Sequence, residues 1–396
     1  MLLDVSTAER IIQQHLPNWR VSDVDLAEAG NLSLAQTLAQ TIVSDRAYPP
    51  YHRVMMDGIA VAWSAYNSGQ RIFAIEGLAA AGMPPVTLSD PCACWEVMTG
   101  AVLPEGTDLV IPYEELKITG GQATVVQDSP RRSLDYVHLK GSDCSAGQEI
   151  MPAGSVINSP RYGILAALGY SQVAICHPPK VELIATGDEL VAIAASPEPY
   201  QIRSSNVYAL RSALHKSGYA EVGIVHLPDD PAAIRQHYQQ ARTQNQLLIY
   251  SGGVSQGKRD YLPQIWQELG VTQLFHGIAQ RPGKPMWFGV DQQYQTVIVG
   301  LPGNPVSSLV CLHRYFLKLP KIWGKLTEKV VFIPNLTYFL PVQCTYTAQG
   351  EITVQPVKWQ NSGDFLALAD SDGFIELPQE RSEFRAGECF PFYGWQ

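Results

Sequence analysis

Residues 181–190 read Val181-Glu182-Leu183-Ile184-Ala185-Thr186-Gly187-Asp188-Glu189-Leu190. A continuous apolar run ending in a glycine turn is the pattern of a strand buried on both faces. Downstream the pattern recurs, with strands expected at Val222–Leu227, 247–250 and 296–299. Helices are expected between them, at about 205–216, from Asp230-Pro231 onward, at about 260–269, and from Pro305 to about 319. In the first, Val207, Leu210 and Leu214 share one face and Gly218 follows the end; Asp230 reads as an N-cap before a proline. Buried strands alternating with crossover helices predict a parallel α/β sheet covered on both faces.

Outward from this block the text changes. Residues 1–45 read as helical, with Ser6 and Glu9 at capping-box spacing and Ile12 and Leu16 on one face. From about 48 to 145 the chain is rich in Pro, Gly and Thr with short β-type runs, and 118–126 reads as a hairpin turning at Gly120-Gly121. Ser159-Pro160 opens a short helix, Ser159 as its cap, that Gly169 ends. After Thr327 short strands return and run to the end. No internal repeat or low-complexity segment is evident.

At 396 residues the chain has room for two or three domains of about 150 residues. Hydrophobic residues are 46% of it and charged ones only 16%. With 28 Lys and Arg against 37 Asp and Glu, the formal charge of −9 argues against a general nucleic-acid binder, which needs a basic face. It leaves room for a small anion held by a few local cations and amides. No run approaches the roughly 18 apolar residues of a membrane span, and the first residues lack a basic-then-apolar secretory pattern. The seven cysteines are scattered without a C-x-x-C, which fits reduced thiols in a cytoplasmic protein, not a disulfide or zinc framework.

In an open α/β sheet, ligands bind at the carboxyl ends of the strands. Three strands here end in glycine-bearing turns: Thr186-Gly187-Asp188-Glu189, Ser251-Gly252-Gly253-Val254-Ser255, and Gly300-Leu301-Pro302-Gly303-Asn304-Pro305. Glycine permits positive φ and close approach to backbone amides, and a turn feeding a helix makes an anion site. One such turn is usually just a corner; three on one sheet edge favour a phosphate-bearing ligand. Asp188, Glu189, Asp229, Asp230 and Asp260 cluster around them. Asp230 is accounted for as a cap and Asp188 as a cap or turn residue, whereas Glu189, Asp229 and Asp260 are candidates to hold Mg²⁺ beside phosphates. Arg281-Pro282-Gly283-Lys284-Pro285 is a basic tight turn, read either as a surface loop or as two cations held against an oxyanion. Asp57-Gly58 and Met98-Thr99-Gly100-Ala101 are turns as plain residues. The nine histidines show no metal-ligand spacing, and G-x-S-x-G, Walker A and G-x-G-x-x-G are all missing.

Taken in order, MDGIAV (56–61), MTGA (98–101), TGDEL (186–190), SGGVSQGKRDY (251–261), RPGKP (281–285), LPGNPVSS (301–308) and NSGDFLALADSDGFIELP (361–378) resemble the molybdopterin molybdenumtransferases, the family that includes the gephyrin E domain. The resemblance runs from about residue 8 to the end. SGGVS and LPGNP also occur in related adenylyltransferase and competence-damage-type domains, but the β-rich and C-terminal motifs do not.

This likeness implies a multidomain α/β and β fold. An elongated N-terminal linker domain (1–47 and 146–177) would accompany a β-rich domain (48–145), a central parallel α/β molybdopterin-binding domain (178–327) and a C-terminal β-barrel (328–396). It implies a homodimer whose active site lies between the α/β domain of one subunit and the β-rich domain of the other. The reaction implied takes adenylylated molybdopterin and molybdate to molybdenum cofactor and AMP with a divalent cation. Glu189, Asp229 and Asp260 would hold Mg²⁺ and, with Asp57, Thr99 and Asp143, form the catalytic set. Substrate would lie on Gly187, Ser251, Gly252, Gly253, Ser255, Arg281, Gly283, Lys284, Pro302, Gly303, Asn304, Pro305 and Ser362. The likeness also implies an adenylyltransferase partner that hands over the labile substrate, and neither nucleic acid nor membrane as a partner.

The chain departs from the common family text in places. Tyr51-His52-Arg53-Val54-Met55 replaces F-D-N-S-A, Ile59 replaces a Tyr, and His138-Leu139-Lys140-Gly141-Ser142-Asp143 stands for R-R-x-G-x-D. Gly277, beside His276, stands where many members carry a Lys. Arg53 and Gln280 are shared with a variant subgroup, and Arg53, His138 and Lys140 are candidates to make up for the missing cations. The competing readings are a non-catalytic molybdopterin-binding scaffold or carrier and an adenylyltransferase; the retained acids favour the insertase.

Overall fold

The computed structural model describes residues 2–27, 37–127, 129–254, 261–317 and 322–395. They form two compact units: Met1–Thr37 together with Ala174–Gln396, and Leu38–Val173.

In the first unit, six strands build the central sheet: β1 (Val181–Thr186), β2 (Val222–Leu227), β3 (Leu247–Ser251), β4 (Thr272–His276), β5 (Trp287–Asp291) and β6 (Thr296–Leu301). Their spatial order is β2-β1-β3-β6-β5-β4. The first four run parallel, as the sequence predicts. The last two run antiparallel, which it does not. They are joined through the segment carrying the Arg281–Lys284 turn, so a crossover helix is not needed there.

Helices α1 (Val5–His15), α2 (Asn206–Lys216), α3 (Pro231–Gln244), α4 (Leu262–Glu268) and α5 (Pro305–Tyr315) cover the sheet. Leu183 and Ala185 pack with the apolar stripes of α1, α2 and α5, whereas Ile184, between them, packs with α3 and α4. This alternation is what makes β1 apolar along its length. Asp230 caps α3 through the amides of Ala232 and Ala233, and Pro231 fixes its first turn. The carboxyl-terminal helix expected to about 319 is observed to Tyr315.

The N-terminal expectation needs two corrections. Among the described residues of the first 45, helix occupies only Val5–His15; Pro17 follows it, and Arg20–Asp25 is a strand. Asp4, not Ser6, is the cap: its carboxylate accepts from the Thr7 amide at 2.8 Å and from the Ser6 hydroxyl at 2.6 Å. An anion complements the helix dipole better than a hydroxyl, so the carboxylate takes the position. Helix α1 is tied down at a distance, where Glu9 pairs with Arg314 of α5 at 2.9 Å.

After α5, β7 (Ile322–Leu326), β8 (Thr337–Tyr346), β9 (Ile352–Pro356), β10 (Gly373–Leu377) and β11 (Cys389–Gly394) close on themselves in the order β8-β9-β7-β11-β10-β8. This is the expected C-terminal β-barrel, filled by Leu326, Leu340, Val354, Ile375 and Phe390 among others. A short strand, Gln280–Arg281, adds to β8 in parallel.

In the second unit a curled six-stranded sheet has the order Leu109–Pro112, Gly58–Val61, Ala93–Val97, Ile72–Ala79, Gln122–Val125, Leu116–Thr119. Ile59, Val61, Phe73, Cys94, Leu109 and Ile111 fill it. The hairpin at Gly120-Gly121 forms as expected. The helix Ser159–Ala167 forms too, but Asn158 caps it, its side chain taking the Arg161 amide; Ser159 and Pro160 lie inside the first turn. All seven cysteines are free thiols. Among the described residues no helix is long and apolar enough to cross a membrane.

One buried titratable group has a measurable consequence. His313 on α5 is 2% exposed, its Nδ1–H bound to the Leu309 carbonyl at 2.9 Å and its ring edge-on to Trp395. Burial pushes its pKa from 6.5 down to about 4, with a further lowering from the Lys216 charge. The unfolded chain therefore takes up a proton at this residue below pH 6.5 that the folded chain refuses until about pH 4. Stability falls on the order of 3 kcal/mol as pH drops through that window. His313→Phe is expected to flatten this part of the urea-unfolding profile against pH; an unchanged slope refutes the assignment.

Candidate active site

The carboxyl ends of β1, β3 and β6 meet at a cavity of about 720 Å³ in the first unit. Glu189, Asp229, Gly187, Ser251, Gly252, Gly253, Arg281, Gly283, Lys284, Pro302, Gly303, Asn304, Pro305 and Ser362 all line it. The structure thus brings together most of the residues singled out above. Ser255 and Asp260 lie outside the described residues. Asp57, Thr99 and Asp143 belong to the second unit.

Local backbone explains the placement of Glu189. Gly187 has φ +146°, and a Cβ there would lie 2.6 Å from the Glu189 carboxylate. Only glycine lets that carboxylate fold back over the turn at the strand end. Gly252 and Gly253 also have positive φ, as expected; Gly303 does not, and a Cβ there would meet only the Gly252 Cα, at an ordinary contact distance of 3.6 Å, so the two turns lie side by side. Asp188 takes the Asp229 amide at 3.1 Å, tying the ends of β1 and β2 together. That is a structural role, in line with its expected use as a turn residue.

Sequence reasoning missed Asn206 and Arg203. Asn206, at the start of α2, donates to the Ser251 hydroxyl at 3.0 Å and to the Gly303 carbonyl at 2.7 Å, bridging two glycine turns. Arg203 lines the cavity as a third cation, its Nε held by the Ala195 carbonyl at 3.1 Å. The signal available was a basic residue followed by polar ones just before a helix, which is also an ordinary helix entrance. From the barrel side, the Ser362 hydroxyl accepts from the Asn304 side-chain amide at 2.7 Å, and its carbonyl takes the Val306 amide at 3.2 Å. Asn304 stands at the N-cap of α5 without a side-chain capping bond.

Cations and anions share the cavity: Arg203, Arg281 and Lys284 with Glu189 and Asp229. Among the described residues no three His, Cys, Asp or Glu side chains converge closely enough to hold a metal by themselves.

In the second unit, Asp57 takes both the Thr99 hydroxyl and the Thr99 amide at 2.6 Å. These bonds favour the carboxylate and hold its pKa below 3.8, the hydroxyl contributing most. Thr99→Val removes the hydroxyl and is expected to move the Asp57 titration upward in a carbon-detected NMR titration; an unmoved midpoint refutes the hydroxyl's role. A second polar chain runs Arg53–His138–Asp143. The guanidinium can only donate, so His138 Nδ1 accepts from it at 2.8 Å and Nε2–H donates to Asp143 at 2.7 Å. The His138 bond holds the Asp143 pKa below its ordinary value. Residues 53 and 138 face each other because Arg53–Val54 and Val137–His138 pair antiparallel.

A molybdopterin molybdenumtransferase from Synechocystis sp. is 49% identical over 394 residues, covering 100% of both chains. The chain belongs to the molybdopterin molybdenumtransferase family. Family models described as "MoeA N-terminal region (domain I and II)", "Probable molybdopterin binding domain" and "MoeA C-terminal region (domain IV)" match residues 3–169, 182–321 and 324–395. A second molybdopterin molybdenumtransferase, from Haemophilus influenzae, is 30% identical, over 98% of this chain and 97% of its own. Among solved structures, the molybdopterin biosynthesis moea protein from Pyrococcus horikosii matches with a TM-score of 0.83 at 25% identity, covering 100% of each chain. The molybdopterin-binding family model spans the strand ends and turns that build most of the cavity, while Leu336 and Ser362 come to it from the C-terminal region.

Proposed function

We propose that this chain is a molybdopterin molybdenumtransferase that converts adenylylated molybdopterin and molybdate to molybdenum cofactor and AMP. The observation that carries the reading is the cavity itself, where glycine turns, two carboxylates and a basic turn converge at the carboxyl edge of the sheet in a chain of this family. The turns at Gly187, Gly252–Gly253 and Gly303 suit the pyrophosphate, and Arg281 and Lys284 suit molybdate, itself an oxyanion. Breaking the phosphoanhydride then rests on holding the reactants and offsetting charge, with no covalent intermediate on the protein.

The oxygen-only donor set of Glu189 and Asp229 fits Mg²⁺, which accepts one or two carboxylates and completes its shell with phosphate and water. Asp260 would be a third ligand. Bound there, Mg²⁺ would offset the phosphate charge. The reading extends to a cytoplasmic homodimer of four-domain subunits, divided as 1–47 with 146–177, 48–145, 178–327 and 328–396. In it Asp57, Thr99 and Asp143 of one copy serve the cavity of the other, and an adenylyltransferase partner hands over the labile substrate. Family membership supports these points.

The test is AMP release and cofactor formation by the purified protein given adenylylated molybdopterin, molybdate and Mg²⁺. Turnover that depends on molybdate is expected. Tight pterin binding without molybdate-dependent AMP release would overturn the reading in favour of a non-catalytic carrier.

A further inference from the structure

Gln280 is fully buried, yet it immediately precedes the Arg281–Lys284 turn and reaches the cavity wall. Every polar atom of its carboxamide is engaged. Nε2 donates to the Pro282 carbonyl at 3.0 Å and faces Cys311 Sγ at 3.4 Å, and Oε1 accepts from the Tyr315 hydroxyl. Tyr315, on α5, is 1% exposed and Cys311 is 0% exposed.

These bonds decide which way the turn faces. The Pro282 carbonyl is held by Gln280, the Gly283 carbonyl by the Met286 amide at 3.2 Å, and the Lys284 carbonyl by the Ile278 amide at 2.9 Å. The amides of Gly283 and Lys284 have no carbonyl partner among the described residues. Gly283 has φ +93°, and a Cβ there would lie 2.5 Å from both Cys311 Sγ and Gln280 Nε2. The turn therefore rests directly on the carboxamide. Its oxygen dipoles, which repel an anion, are drawn inward, and its amides and two cations are left for the cavity.

We infer that Gln280, held in turn by the Tyr315 hydroxyl, is a positioning residue that fixes the oxyanion-receiving face of the Arg281–Lys284 turn and so sets the affinity for molybdate. This rests on the reading that Arg281 and Lys284 receive molybdate. A fully engaged buried amide has one orientation, so the backbone it binds has one as well. Replacing Gln280 by leucine keeps the volume but frees the Pro282 carbonyl and strands the Tyr315 hydroxyl, while both cations remain.

The test compares Gln280→Leu, Tyr315→Phe and Lys284→Ala in the full-length protein. It uses steady-state kinetics with molybdate varied, calorimetric titration with molybdate alone, and thermal unfolding. Gln280→Leu is expected to raise the molybdate KM and Kd about tenfold, with kcat at saturating molybdate changed less than about twofold. Tyr315→Phe, which loses only the support of the amide, is expected to raise both about threefold. If Gln280→Leu does not fold, Tyr315→Phe decides by the same split. Lower thermal stability with molybdate binding unchanged in both variants, while Lys284→Ala abolishes binding, would overturn the inference and leave the functional reading standing. Binding unchanged in Lys284→Ala as well would overturn the reading of the turn, and the inference with it.

Discussion

Glu189→Gln is expected to lower kcat/KM for molybdate-dependent AMP release by roughly 10²- to 10³-fold while leaving pterin binding and folding intact. The substitution keeps shape and removes charge. Glu189 lines the cavity at the end of β1 on a turn that needs glycine at 187. Glu189 is exposed, so folding is expected to tolerate the loss of its charge. The expected loss therefore falls on the step in which phosphate charge is redistributed. Two further readouts separate the proposed Mg²⁺ role from a general field effect. The Mg²⁺ concentration for half-maximal rate should rise sharply, and pterin affinity, measured by fluorescence, should stay within about twofold. A variant with wild-type turnover and Mg²⁺ dependence would remove Glu189 from the chemistry. The same substitution in Asp229 (to Asn) should behave alike, because both acids line the one cavity.

Gly58→Ala is expected to destabilise the second unit by about 3 kcal/mol or more. Gly58 opens the strand Gly58–Val61, which is paired on both sides, with Leu109–Pro112 and with Ala93–Val97. A Cβ at this position would lie 1.9 Å from the Ile111 carbonyl oxygen, 2.8 Å from its carbon and 2.9 Å from the Pro112 Cα. All three are backbone atoms of the adjoining strand, so no rotamer change relieves the clash. The strand pair must open. Limited proteolysis should then cut first within 38–173, and the thermal transition should move down or split. Gly163→Ala is the contrasting case. It lies in the helix Ser159–Ala167 with nothing within 4 Å of a new Cβ, and should stabilise by up to about 1 kcal/mol. If both substitutions move stability alike, close packing at residue 58 is not what requires glycine.

These two glycines show what the sequence displays and what it hides. Gly58 and Gly163 look the same as letters; the difference lies in which strand passes alongside, and that strand is fifty residues away in the chain. Local chemistry read well. Asp230-Pro231 capped α3, Gly120-Gly121 turned the hairpin, and the apolar run 181–186 became β1, because each is decided by a few adjacent residues. Where two nearby residues could each cap a helix, the sequence pattern favoured the wrong one: Asp4 displaces Ser6, two positions on, by charge, and Asn158 displaces Ser159 by one position. The antiparallel direction of β4 and β5 was not legible, because an apolar run such as Trp287–Val290 marks a buried strand without fixing which way it runs. In the cavity, the glycine turns and the basic turn were legible as motifs. Asn206 and Arg203 were not, since bridging two turns from a third is a relation that only folding creates.

The bond between Glu9 and Arg314 spans 305 positions in the chain. During synthesis the first helix emerges with Val5, Ala8 and Ile12 on one apolar stripe, while the α5 surface that covers it does not yet exist. At about 5–20 residues per second the ribosome takes roughly 15–60 s to deliver Arg314. In that interval the unit Leu38–Val173, continuous in the chain, can fold without waiting. The apolar stripe of α1 thus stays open to solvent until α5 has been made to cover it.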